Sequence, residues 1–214
     1  MDNLDLLKEK WQSREQEFPK LTFDDIYKML LRKSSSIVKW IFYISIAELV
    51  LWTILAFFIP ESNKQITQEM GLKNIFLIVN IVNYTVFAIF IYFFYVNYRS
   101  IKVTDTVKEL MKNILKTRKT VKYFVIYNVG GAALLMLAIN IYFFLNKEQL
   151  YETFKGIEGY GNIPAENFTS VFFLSQAIAG VILVLLLLLF YRLVYGILLR
   201  RLKRNYRELK KIEL

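Results

Sequence analysis

Hydrophobic and polar positions divide this chain into four long apolar runs separated by polar or charged stretches. The first, Ile37 to Ile59, reads IVKWIFYISIAELVLWTILAFFI, and Pro60, Glu61 and Ser62 stop it. The others cover residues 73–96, 123–145 and 171–199. Each is long enough for the roughly 20 helical residues that cross a hydrocarbon core about 30 Å thick. In lipid, every backbone N–H and C=O needs an internal partner, and a helix supplies it. The pattern therefore predicts an all-α fold, an integral membrane four-helix bundle. Residues 60–72 and 146–170 are the expected outer loops, and 97–122 the expected cytoplasmic loop.

The flanks show helical periodicity of a different kind. Residues 1–36 read as a cytoplasmic tail of amphipathic helices. Leu4, Leu7 and Trp11 recur at spacings of three and four, one face of a short helix that Pro19 ends. They are the candidate partner-binding residues, although the same face suits resting on the membrane or on the rest of the chain. Thr22-Phe23-Asp24-Asp25 reads as a helix start, with a side-chain acceptor followed by acids at the positive end of the helix. Ile26, Leu30 and Leu31 then line one face of an expected interfacial helix over 22–33, with Ser34-Ser35-Ser36 as a bend or a continuation into the first run. Val103, Val107, Leu110, Met111, Ile114 and Leu115 give 97–122 the same period. The last run continues into a basic tail, 200–214, along Leu198, Leu202, Tyr206 and Leu209. Gly130-Gly131-Ala132-Ala133 in the third run predicts a close approach of helix backbones.

Composition sharpens this picture. Of 214 residues, 56% are hydrophobic, against about 45–50% in soluble domains. Mean hydropathy is +0.36. There is no cysteine and no histidine. Disulfides, thiolate nucleophiles, nearly all zinc chemistry and the usual general base near neutral pH are excluded.

The net charge of +10 is unevenly placed. Eight Lys or Arg lie between the N-terminus and Lys39, eight between Arg99 and Lys122, and eight from Arg192 onward. The two remaining loops and their flanks hold only Lys64, Lys73, Lys147 and Lys155. Basic loops stay on the cytoplasmic side, so both termini and the middle loop are expected there. The first run begins after 36 mostly polar residues, which reads as an uncleaved anchor. Topology accounts for the charge, so no nucleic-acid partner is expected. Lys108, Lys112, Lys116, Arg118, Lys119, Arg200, Arg201, Lys203 and Arg204 are candidate contacts to anionic lipid.

One carboxyl group, Glu48, stands at the centre of the first run. An ionised acid at mid-bilayer costs at least a few kcal/mol, so it faces other helices or water. An antiparallel second span brings Asn83 near its level, with Asn80 about one turn outward, roughly 4.5 Å at 1.5 Å per residue. Glu48, Asn80 and Asn83 are thus the expected intramembrane polar cluster, with Glu48 bonded to Asn83 directly or through water. Its role is an interhelical clamp, a proton or cation relay, or a catalytic acid, in that order of expectation. The chain shows no paired intramembrane carboxylates, no nucleophile beside a base, no phosphate-cradling loop and no metal-ligand spacing. The expectation is a non-enzymatic protein without cofactor or metal.

Two stretches carry a resemblance. Leu4-Asp5-Leu6-Leu7-Lys8-Glu9-Lys10-Trp11-Gln12 resembles the Leu-Lys-x-x-Trp-Gln opening of many uncharacterised bacterial inner-membrane proteins. Ile26-Tyr27-Lys28-Met29-Leu30 and Arg32 to Trp40 are similar to the segment before the first span in a four-span subset. Members of that subset are often encoded beside extracytoplasmic-function sigma factors. The resemblance covers about the first quarter of the chain. It implies a regulatory or accessory envelope role. The expected function is a regulatory, scaffold or accessory subunit of a bacterial inner membrane, whose cytoplasmic helices bind a protein partner or a second copy. A small oligomeric transporter or channel subunit using Glu48 is the alternative.

Overall fold

The computed structural model describes residues 22–102, 106–156 and 164–213. Leu4, Leu7 and Trp11 lie outside them. Among the described residues six helices form: α1 (Phe23–Phe57), α2 (Glu61–Glu69), α3 (Lys73–Lys102), α4 (Val107–Leu145), α5 (Lys147–Lys155) and α6 (Ala165–Glu213). Four of them, α1, α3, α4 and α6, are long and apolar enough to cross a membrane.

Local sequence sets the helix ends. Thr22 caps α1 in a capping box: its hydroxyl accepts from the Asp25 N–H at 3.2 Å, and the Asp25 carboxylate accepts from the Thr22 N–H at 3.1 Å. The Thr22 hydroxyl also donates to the Asp25 carboxylate at 2.5 Å, and this bond, with the one from the Thr22 N–H, holds the Asp25 carboxyl below the usual carboxylate range. Thr106 caps α4, accepting from the Glu109 N–H at 3.3 Å. Pro60 forbids α1 from running on, because the residue before a proline is pushed out of the helical region. The α2–α3 reversal uses Gly71 at φ +70°. The Leu72 N–H reaches the Thr67 carbonyl at 2.9 Å and the Gly71 N–H the Gln68 carbonyl at 3.0 Å. That pair of bonds is the Schellman motif, and it needs a residue free of the Cβ penalty at positive φ.

The expected interfacial helix over 22–33 is not a separate element. Ser34, Ser35 and Ser36 lie inside α1, which is one continuous helix of 35 residues. Serine costs little in a helix interior when its neighbours pack, and Ser34 is fully buried. The two segments expected as outer loops also carry helix, as α2 and α5.

The four long helices form a ring in which α1 packs on α3 and α6, and α4 on α3 and α6. Two buried clusters fill it. The larger runs through Leu30, Val38, Ile41, Phe94, Ile101, Leu110, Ile114, Val121, Phe124, Tyr195, Leu202 and Leu209. It continues well beyond the apolar runs, so the first turns of α1 and α4 and the last turns of α6 make a packed stalk. A buried polar contact lies inside the stalk, where the Asn205 amide donates to the Ser34 hydroxyl at 3.0 Å. The smaller cluster, Met70, Leu72, Leu150, Phe154, Phe168 and Phe172, closes the opposite end beneath α2 and α5. Tyr142 and Gln149 fasten α2 there by donating to the Met70 and Glu69 carbonyls, each at 2.8 Å. Around the outside runs a belt of exposed large apolar side chains on all four long helices, among them Phe57, Ile78, Leu134 and Leu174.

The small residues behave differently from expectation. Gly130 and Gly131 have no neighbour within 4 Å of where a Cβ would stand, so they make no close backbone approach. The tight contact is at Gly180, where an added Cβ would overlap the end of Met136. Gly180→Leu is expected to lower stability by about 1–3 kcal/mol through overpacking, with Met136→Ala restoring part of the loss. Gly130→Ala is expected to be neutral or to raise stability by up to roughly 1 kcal/mol, the helix-propensity difference. Thermal unfolding midpoints of the detergent-solubilised variants decide; equal losses at Gly130 and Gly180 would contradict the packing described.

Candidate functional site

Glu48 points inward from α1 and is 3% exposed. Two tyrosines of α6 meet it. The Tyr191 hydroxyl donates to one carboxylate oxygen, and the Tyr195 hydroxyl donates to the other at 2.9 Å. Trp52 stands one turn further along α1. Tyr191 and Tyr195 are themselves buried and are i, i+4 neighbours, so they present adjacent hydroxyls from one helix face.

Aromatic rings wall this site. Phe124 of α4 is the hub: its ring centroid lies 5.3 Å from Phe87 and from Phe90, 5.5 Å from Phe94, 6.2 Å from Tyr191 and 5.8 Å from Tyr195. Several of these pairs are edge-to-face, the arrangement favoured by ring quadrupoles. The result is a carboxyl group served by two phenol donors inside an aromatic shell to which α3, α4 and α6 contribute.

The expected partner of Glu48 is elsewhere. Asn83 is exposed, and its Oδ1 accepts from the Tyr127 hydroxyl of α4 at 3.3 Å. Asn80 is also exposed and lines a groove on the side of the bundle. The cluster of Glu48, Asn80 and Asn83 does not assemble, because the face of α3 turned to Glu48 carries Phe87 and Phe94 instead. Depth differs as well. Phe124 follows Lys122 by two residues, and Tyr191 precedes Arg192. Glu48 thus shares its level with basic positions on α4 and α6, nearer the basic end than the middle of the first run suggests. Sequence reasoning missed Tyr191 and Tyr195. The available signal was a pair of polar-tipped rings one turn apart in a run otherwise dominated by leucine.

Of the candidate lipid-contact residues, Lys108, Lys112, Lys116, Lys119, Arg200, Arg201, Lys203 and Arg204 are exposed on the stalk. Arg204 pairs with Glu208 at 3.0 Å. Arg118 departs from the set: it is half-buried, and its Nε is enclosed without a hydrogen-bond partner. Among the described residues no three His, Cys, Asp or Glu side chains gather as a metal site.

The family model for a domain of unknown function, DUF8845, matches residues 24–214. The chain belongs to the DUF8845 family. No curated protein and no solved structure matches it. The DUF8845 match begins one residue into α1 and takes in all six helices, so Glu48, Tyr191, Tyr195 and the stalk are inside it. Leu4, Leu7 and Trp11 fall outside it.

The arrangement ties the first long helix to the last. Removing one hydroxyl leaves a buried acceptor short of a donor, which costs about 1–3 kcal/mol. Tyr191→Phe and Tyr195→Phe are each expected to destabilise by that amount. In a double-mutant cycle with Glu48→Gln, a coupling of at least roughly 0.5 kcal/mol is expected, as for groups in one network. Unfolding in mixed micelles supplies the free energies, and additive losses would show that the three groups do not act together.

Proposed function

We propose that this DUF8845 chain is a four-span protein of the bacterial inner membrane, with both termini and the 97–122 segment in the cytoplasm. It serves as a regulatory, scaffold or accessory subunit, without enzymatic chemistry, by holding out a helical cytoplasmic stalk. One observation carries this reading. Three basic segments distant in sequence converge at one end of the bundle, around buried Leu30, Leu110, Ile114, Leu202 and Leu209. Basic residues gathered at one end match the cytoplasmic excess that orients membrane proteins. The belt of exposed apolar side chains supports the membrane part, since a soluble surface rarely carries apolar patches beyond a few hundred Å².

The geometry at Glu48 favours a clamp over an ion path. Its oxygens accept from Tyr191 and Tyr195, and it does not line the two grooves beside α3 that contain Asn80. The stalk is then the surface left for partners. Its exposed positive face suits an acidic soluble protein, and anionic lipid headgroups border its base.

The chain has no cysteine, so single-cysteine variants report topology cleanly. In intact cells, a membrane-impermeant maleimide is expected to label Gln65→Cys and Glu152→Cys. It is expected to reach Lys112→Cys and Lys203→Cys only after the membrane is opened. Labelling of the latter pair from outside would overturn the orientation. Cross-linking from Lys112 and Lys203 positions in cells, followed by mild solubilisation, is expected to trap a cytoplasmic protein. Adducts to lipid alone would remove the scaffold role.

A further inference from the structure

The half of the bundle away from the stalk is not closed. A groove of about 930 Å³ lies between α3 and the α4–α6 pair, under α2 and α5. This is within the range of roughly 300–1,000 Å³ usual for ligand sites. Phe76, Leu77, Phe143 and Phe172 form its apolar walls. A smaller hollow of about 350 Å³ adjoins it, sharing Ile59, Asn80 and Tyr84, and reaches Trp52 and Asn83. Leu77 and Ile81 in the wall are 55% and 59% exposed, so the groove opens sideways, at the level of the apolar belt.

Its charge is one-sided. Lys64 and Lys73 stand at the end near α2, and no acidic side chain is in the lining. Lys64 also bonds Glu61 at 2.7 Å, and Glu61 lies outside the groove. Below the lysines, the Asn80 and Gln176 amides offer N–H donors part-way down. From Lys73 to Asn83 along α3 is roughly 15 Å at 1.5 Å per residue. That is half of a hydrocarbon core about 30 Å thick, the depth of one leaflet.

We propose that this groove binds one anionic phospholipid of the outer leaflet. The phosphate sits between Lys64 and Lys73, the ester carbonyls meet the Asn80 and Gln176 amides, and an acyl chain runs along Phe76 and Phe143 toward Trp52. A lateral opening admits a lipid from the bilayer without its leaving the apolar phase. Cations at one end only, above a leaflet-deep apolar slot, fit an acidic headgroup on a chain. The proposal rests on the membrane reading above.

Trp52 is the reporter. The chain has three tryptophans, so Trp11→Phe with Trp40→Phe leaves Trp52 alone, and Trp11→Phe with Trp52→Phe leaves the exposed Trp40 as a control. Full-length protein is reconstituted in phosphatidylcholine vesicles. These carry equal small fractions of either phosphatidylcholine or phosphatidylglycerol brominated on its acyl chains. Brominated phosphatidylglycerol is expected to quench Trp52 at a lower mole fraction, by about fivefold for each lysine. Lys64→Gln with Lys73→Gln is expected to bring it to the phosphatidylcholine value, leaving Trp40 quenching unchanged. Equal quenching of Trp52 by both headgroups overturns the lipid site while leaving the membrane reading intact. A preference that survives the double substitution also overturns it and moves the anionic contact to the basic stalk. Quenching of Trp40 with none of Trp52 shows the groove filled by protein, a second copy, and again rejects the lipid. Absence of quenching at both tryptophans sinks the membrane reading itself.

Discussion

A carboxyl group enclosed by hydrocarbon and aromatic rings must be supplied with donors by its own protein. That requirement governs how this bundle closes. Glu48 belongs to the first long helix, and Tyr191 and Tyr195 to the last. Their bonds set the rotation of α1 and α6 about their axes and their register along each other. A slip of one residue on either helix would turn the groups apart and leave three buried polar tips unsatisfied, each costing about as much as a lost buried hydrogen bond. The register so fixed recurs lower down: Ser34 lies fourteen residues before Glu48, Asn205 fourteen after Tyr191, and they bond each other. Apolar contacts alone would tolerate several sliding positions of two leucine-rich helices, whereas two polar contacts at matching intervals select one.

Phe124 extends this constraint to the other helices. Its ring touches Phe87, Phe90 and Phe94 on α3 as well as both tyrosines. The Glu48 carboxyl therefore sits at a level where side chains of all four long helices meet. Below it the core continues unbroken into the stalk. Beyond it, toward α2 and α5, packing is confined to a separate cluster, and grooves open between α3 and its neighbours. The protein is thus asymmetric along its axis, with a solid basic end and an apolar end that leaves space.

The proposed function follows that asymmetry. On the membrane reading, the solid end is the surface for contact with something outside the bilayer, and the open end, facing sideways, is the one for molecules within it. Short helices over the open end, pinned through the Met70 and Glu69 carbonyls, keep it from collapsing onto α3.

The sequence by itself determined the number of long helices, since each apolar run is long enough to form one, whereas the packed stalk decided how far α1, α4 and α6 continue beyond their runs. The sequence also determined the cap at Thr22, which is a contact within three residues, and the clustering of basic residues in three segments. The tertiary structure alone decided which groups face each other. Glu48 and Asn83 are close in depth on paper, but depth says nothing of rotation, and α3 turns aromatic rings inward while Asn83 turns out to Tyr127. The tyrosines that serve Glu48 come from more than 140 residues away, and no local pattern encodes such a pairing. Close approach fell at Gly180 and not at Gly130 for the same reason: a small residue permits contact, but only the packing of two whole helices places a neighbour against it.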